Sequence, residues 1–222
     1  MKDFGFYLVM TDPVVGYEKC CEAAVRAEVA MVQLRMKSRV RDIPRSEVLD
    51  MAKRLVKITR GSKTKLVIDD DPSVAADSGA DGVHVGQDDI PVEMVRNRWP
   101  EIPYVGLSTH NLVQAQLSVA AHPDYIGVGP VFPTPTKVIP DPVLGVEEAS
   151  KMIAAVPYAA VAIGGITPEN LSSVIEAGAK NWAVVRAVCQ SEDPYAAIMG
   201  LRSVSDAALA AVAKKSSAES VA

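Results

Sequence analysis

Two acidic runs follow two short apolar segments. "KLVI" leads into Asp69, Asp70 and Asp71, and "GVHV" leads through Gly86 and Gln87 into Asp88 and Asp89. Carboxylates this close repel one another unless a metal, a basic partner or solvent relieves them. If Asp70 and Asp89 converge from neighbouring strand ends, their oxygens suit Mg²⁺. That ion takes one or two carboxylates and completes its octahedron with phosphate oxygens and water. The competing reading has the aspartates capping helices or ending loops. It is the favoured one for Asp71, which precedes Pro72, and for Asp88.

Basic groups stand opposite. "QLRMK" sets Arg35 and Lys37 two apart, so in extended backbone they project to one side. Arg offers a fork of donors to phosphate oxygens and Lys a compact charge; as a solvated loop, the two would simply pair with the acids. "PTPTK" adds Thr134, Thr136 and Lys137, and its prolines stiffen the loop before any ligand binds. Ser108, Thr109 and His110 follow "YVGL", Gly164 and Gly165 follow "VAI", and Arg186 follows "WAVV". Two anionic subsites and a metal pair imply one substrate with a pyrophosphate and another with a monophosphate. The matching chemistry is pyrophosphate displacement, in which a cation neutralises the leaving group.

Something must bring these groups to one rim. Eight apolar runs recur: "FGFYLVM", "AMVQLR", "KLVID", "DGVHV", "IPYVGL", "DYIGVG", "YAAVAIG" and "NWAVV". They are apolar throughout rather than alternating, as strands covered on both faces are. Helical stretches lie between them, such as "RSEVLDMAKRLVKITRG", ending at Gly61, and "TPENLSSVIEAGA", with Thr167 as its cap and Pro168 just inside. The pattern predicts a single (β/α)₈ TIM barrel over residues 1–205, with the active site at the C-terminal ends of its strands. A short C-terminal helix extension with a frayed, flexible end follows over 206–222. An open doubly wound sheet is the alternative fold, but no G-x-G-x-x-G follows the first strand, which disfavours dinucleotide binding.

Composition narrows the partners. The 222 residues are 49% hydrophobic and 23% charged with a net charge of −4, which suits a packed globular protein and argues against nucleic-acid binding. Cys20, Cys21 and Cys189 show no C-x-x-C spacing and read as reduced thiols of a cytoplasmic protein. The N-terminal apolar run lacks a basic leader, and no segment reads as long enough to cross a bilayer. Small-molecule substrates are expected, with no membrane partner and the oligomeric state left open.

Taken together and in this order, "FYLVMTDP", "QLRMK", "DGVHVGQDD", "GLST", "DYIGVGPVFPTPTK", "AIGGITPEN" and "AVVRAVCQSEDP" resemble the thiamine phosphate synthase family over about residues 6 to 200. The resemblance implies condensation of hydroxymethylpyrimidine pyrophosphate with a thiazole phosphate, giving thiamine phosphate and pyrophosphate by a largely dissociative route. It implies that Gln33, Arg35 and Lys37 hold the pyrimidine pyrophosphate with Asp69, Ser108 and Lys137, among which Arg35, Lys37, Ser108 and Lys137 are catalytic. It implies Mg²⁺ on Asp70 and Asp89, and the thiazole phosphate on Thr134, Thr136, Gly165, Val185 and Arg186. Three residues depart from the family pattern, which usually has Asn where Asp69 stands, often Ser where Arg186 stands, and often Glu where Met36 stands. An ionised Asp69 would repel the pyrophosphate unless it joined the metal or bound a proton, and Asp69 and Arg186 would compensate as a charge pair if they met.

A sister family, the thiazole tautomerases, uses a histidine after the fifth strand for proton transfer, and His110 is the matching residue. A barrel that binds a phosphorylated ligand without turnover is the third reading. His84, inside a strand, reads as a packed barrel residue and His122 as a loop residue.

Overall fold

A computed structural model describes residues 3–37, 42–135 and 142–219. Eight parallel strands close in chain order: β1 (Phe6–Met10), β2 (Met31–Leu34), β3 (Lys65–Asp69), β4 (Gly82–Val85), β5 (Tyr104–Thr109), β6 (Tyr125–Val128), β7 (Ala159–Ile163) and β8 (Asn181–Val184), with β8 pairing back to β1. Around them run α1 (Tyr17–Arg26), α2 (Arg45–Thr59), α3 (Pro72–Ser78), α4 (Val92–Arg98), α5 (Leu112–Ala121), α6 (Gly145–Ala154), α7 (Leu171–Glu176), α8 (Arg186–Cys189) and α9 (Pro194–Glu219). The fold is the expected (β/α)₈ barrel.

The absence of alternation in the strands has a simple cause, because both strand faces are covered. One face fills the barrel lumen with Tyr7, Val9, Met31, Val67, Tyr125, Val161 and Ala183. The other, including Leu8, Val32, Leu66, Ile68 and Val83, packs beneath the helices. The N-terminal end of the barrel is laced by side chains that accept backbone N–H groups. Asn181 Oδ1 accepts from Phe4 and Gly5 (2.6 and 3.0 Å), Asp81 from Leu66 (2.9 Å) and Asp124 from Val105 (2.7 Å). Hydrogen bonds to a charged acceptor are the stronger kind, so these carboxylates serve the fold rather than the rim.

Local signals set the helix ends. Asp71 caps α3 by accepting from Val74 N–H at 3.0 Å, Pro72 occupies the first turn, and Gly79 closes the helix at φ 75°. The start of α7 differs from expectation. Residues 168–170 form a turn and Asn170, not Thr167, sits at the helix boundary. The Asn170 side chain accepts from Thr167 N–H (2.8 Å) and donates to the Gly165 carbonyl (2.9 Å), so the turn braces the end of β7 instead of adding helix. β5 also runs past Leu107, because Thr109 Oγ1 donates to the Gly127 carbonyl at 2.8 Å and keeps Ser108 and Thr109 in the sheet.

The C-terminal helix corrects a second expectation. By length and composition alone, Pro194–Lys215 is apolar enough to cross a membrane, with a mean hydropathy of 1.4. In the fold, however, α9 docks on α7, α1 and α8. Ile198, Leu201, Ser205 and Ala208 are its buried stripe. The barrel buries 22% of the apolar span, and Met199 and Leu209 remain exposed.

Candidate active site

The C-terminal strand ends enclose a cavity of about 730 Å³, within the size range of small-molecule sites. Asp69 closes β3 inside it. Asp70 follows at φ 61°, a region that residues other than glycine rarely occupy. There its N–H donates to the His84 carbonyl (2.8 Å), while Asp71 N–H turns back to the Asp69 carbonyl (2.8 Å). Strain of this kind persists where neighbouring structure over-determines the backbone, and it concentrates at functional sites. Its effect is to leave Asp69 buried in the lumen and Asp70 out on the rim.

The expected cations meet these acids. Arg35 Nε lies 3.5 Å and Lys37 Nζ 3.3 Å from Asp69 Oδ2, and Lys37 also hydrogen-bonds Asp70. Neither contact to Asp69 has hydrogen-bond geometry, so this buried oxygen has no hydrogen-bond partner among the described residues. Burial first, and the charge of Asp70 second, push the Asp69 carboxyl up to about 6 despite the two cations. Burial acts on Asp70 in the same sense, but the Lys37 hydrogen bond and charge outweigh it and hold Asp70 below the usual carboxylate range. Burial also lowers Lys37, and Asp69 and Asp70 more than offset it.

Asp89 reaches the same place from the loop after β4. Its Oδ2 accepts Gly86 N–H at 2.7 Å, and its carboxyl interacts with Asp70. Burial and the neighbouring Asp70 charge raise Asp89, and the hydrogen bond from Gly86 only partly offsets them. Asp70 and Asp89 together form an all-oxygen donor pair whose repulsion Lys37 offsets at Asp70 but not fully at Asp89, and such a donor set fits a hard divalent cation such as Mg²⁺. Asp88 stays exposed in the intervening turn.

The opposite side of the cavity is built from backbone. Gly164 and Gly165 take φ of 101° and 65°, and a Cβ on either would strike Pro130, Phe132 or the Pro133 carbonyl at 2.6–2.7 Å. Val131 and Phe132 N–H groups donate to the carbonyls of Ile163 and Gly164 at 2.9 Å each. The glycines thus let the segment after β6 lie flat on the end of β7. This carries Thr134 to the wall of the cavity that Gly165, Val185 and Arg186 also line. Thr136 and Lys137 lie outside the described residues. Arg186 does not meet Asp69. Its guanidinium turns to Oε1 of Gln190, the residue that ends its own helix (3.1 and 3.3 Å), and Asp69 is answered by Arg35 and Lys37 instead.

Ser108 and Gln33 are tied into the lumen. Ser108 Oγ lies 2.9 Å from His84 Nε2, and buried Gln33 donates through Nε2 to Tyr7 Oη at 2.8 Å. His84 is therefore a cavity residue, not merely a packed one. His110 also lines the cavity, with Nδ1 2.7 Å from the Gly129 carbonyl. A carbonyl can only accept, so that nitrogen carries the proton and Nε2 of the neutral ring is an acceptor. His122 ends α5 at φ 51°, away from the site. Reading the sequence missed Tyr7 and Tyr125, which also line the cavity. Their only signal was a polar tip on an aromatic residue inside a barrel strand, where a buried hydroxyl needs a partner.

Fold and site together define a (β/α)₈-barrel enzyme with a charged cavity at the strand C-termini. The chain belongs to the thiamine monophosphate synthase family, a family of transferases, whose model matches residues 6–188. It is 37% identical over 209 residues to a thiamine-phosphate synthase of Roseiflexus sp., covering 92% of this chain and 87% of that one. It is 38% identical over 201 residues to the corresponding enzyme of Laribacter hongkongensis, covering 88% and 92%. Among solved structures, a thiamine phosphate pyrophosphorylase from Pyrococcus furiosus superposes with a TM-score of 0.83 at 28% identity, covering 94% and 98%.

Proposed function

We propose that this chain condenses 4-amino-2-methyl-5-hydroxymethylpyrimidine pyrophosphate with a thiazole phosphate, giving thiamine phosphate and pyrophosphate in the cytoplasm. The observation that carries the reading is the placement of Lys37 against the Asp70–Asp89 pair, on the same rim as Arg35. A pyrophosphate entering there exchanges the acids for its own oxygens as partners of both cations. Three free, buried cysteines suit a reducing compartment.

In this reading Arg35, Lys37 and Ser108, joined by Lys137, hold the pyrophosphate, and Gln33 faces the pyrimidine. Thr134, Thr136, Gly165, Val185 and Arg186 receive the thiazole phosphate. Asp70 and Asp89 would hold Mg²⁺, which when bound supplies positive charge against the departing pyrophosphate. The methylene C–O bond breaks with its electron pair leaving on pyrophosphate, and the thiazole nitrogen lone pair then forms the C–N bond. Arg35, Lys37 and Ser108 meet the charge that develops on the leaving oxygen.

EDTA is expected to abolish pyrophosphate release and added Mg²⁺ to restore it, while Asp70→Asn combined with Asp89→Asn removes the restoration. Unchanged turnover in EDTA would remove the metal from the scheme. The fixed tautomer of His110 supports a second reading, thiazole isomerisation with Nε2 as the proton acceptor. Isomerisation without pyrophosphate marks that reading, and ligand binding with neither reaction marks a binding protein.

A further inference from the structure

One continuous hydrogen-bonded chain crosses the barrel lumen beneath the site. Gln33 Nε2 donates to Tyr7 Oη (2.8 Å), and Tyr7 Oη lies 3.1 Å from Tyr125 Oη. Tyr125 Oη lies 3.2 Å from His84 Nδ1, and His84 Nε2 lies 2.9 Å from Ser108 Oγ. The five side chains come from five strands, so nothing local in sequence brings them together. Space is kept for the chain: a Cβ on Gly106 would lie 2.3–2.5 Å from the Tyr125 ring tip and hydroxyl and from His84 Nδ1. Gly127 leaves the other side of the imidazole open to ordinary contact.

The head of the chain sets its direction. An amide NH₂ can only donate, so the Tyr7 hydroxyl accepts it, and the acceptor the chain offers for Tyr7's own proton is Tyr125 Oη. Burial holds both phenols well above their ordinary range, so both remain donors. Tyr125 then donates to His84 Nδ1, which must be the bare nitrogen, and Nε2–H donates to Ser108 Oγ. With its lone pair engaged, the Ser108 hydroxyl sends its proton into the cavity. In the reverse order Tyr7 Oη accepts from both Gln33 and Tyr125, and its own buried proton has no acceptor in the chain, whereas the forward order uses every proton.

We propose that Gln33, Tyr7, Tyr125 and His84 form a chain of single polarity that holds His84 as the Nε2–H tautomer and presents the Ser108 hydroxyl to the cavity as a donor. His84 is then a positioning residue acting through Ser108. Its catalytic consequence rests on the reading of Ser108 as a pyrophosphate contact; its tautomer does not.

The test has a spectroscopic arm and a kinetic arm. Nitrogen-15 spectra of imidazole-labelled protein at pH 8, free of ligand, contain only three histidines, assigned with His110→Gln and His122→Gln. His84 is expected as Nε2–H; a Nδ1–H or doubly protonated ring overturns the proposal. In the kinetic arm, Ser108→Ala and His84→Phe each lower kcat by on the order of 10²-fold with KM little changed. The double variant is no slower than Ser108→Ala alone, as two groups acting as one unit require. His84→Gln, whose amide both accepts and donates, recovers most of the loss. Losses that multiply, or a glutamine variant no better than phenylalanine, overturn it. If the wild-type protein releases no pyrophosphate, the proposed function fails, and the tautomer alone decides the polarity.

Discussion

Lys37→Ala lowers kcat by on the order of 10²–10³-fold, the scale seen when a donor to a developing anion is removed. Lys37 is singled out by its position. It is the cation that reaches both Asp69 and Asp70, while Arg35, among the described residues, pairs with Asp69 and not with Asp70. Without it the departing pyrophosphate loses a charged donor, and three carboxyl groups are left with less positive charge between them. The carboxyls respond as well: Asp70 loses what holds it low, and its range moves up. Steady-state kinetics should show the loss mainly in kcat. A variant that keeps its kcat and only raises KM would mean that Lys37 contributes uniform binding rather than leaving-group stabilisation.

Asp69→Asn is the second large effect, in the opposite direction. A buried carboxylate beside the pyrophosphate repels it, whereas an amide donates to it. A hydrogen bond to a charged group contributes roughly 1.5–3 kcal/mol, so kcat/KM should rise by about tenfold to a hundredfold above neutral pH. With its range pushed up to about 6, Asp69 is ionised at pH 7.5 and increasingly protonated below pH 6. The advantage of the variant therefore shrinks as the pH falls through 6, where a protonated Asp69 also becomes a donor. Stability carries the same sign. The folded state holds a proton that the unfolded chain has lost between pH 3.8 and about 6, so this group's contribution to stability falls as the pH rises through that window. Melting temperatures at pH 5 and 7.5 should converge in the variant relative to wild type. Equal pyrophosphate affinity in both proteins at pH 7.5 would mean that Asp69 is neutralised by Arg35 and Lys37.

The rim was legible in sequence because barrel strands end abruptly. Apolar "KLVI" stops at Asp69, and "AMVQL" stops at Arg35 and Lys37, so the first polar residues beyond these runs are the charges that meet in the fold. The lumen was not legible for the same physical reason. Strands covered on both faces carry no alternation, so nothing marked His84, between Val83 and Val85, as facing inward toward Ser108. The partner of Asp69 was hidden too. Arg186 looked available, but the cap of its own helix supplies Gln190 four residues on, a contact that i,i+4 spacing favours over one across the cavity. The turn at 168–170 went unseen because Thr167 and Pro168 imitate a helix start, while Asn170 spends its side chain on Thr167 and Gly165.

The most direct test of the account is product stoichiometry. With hydroxymethylpyrimidine pyrophosphate, thiazole phosphate and Mg²⁺, the protein should form thiamine phosphate and pyrophosphate in equal amounts, as read by mass spectrometry and a coupled pyrophosphate assay. No thiamine phosphate from a folded protein that still binds both substrates would contradict it.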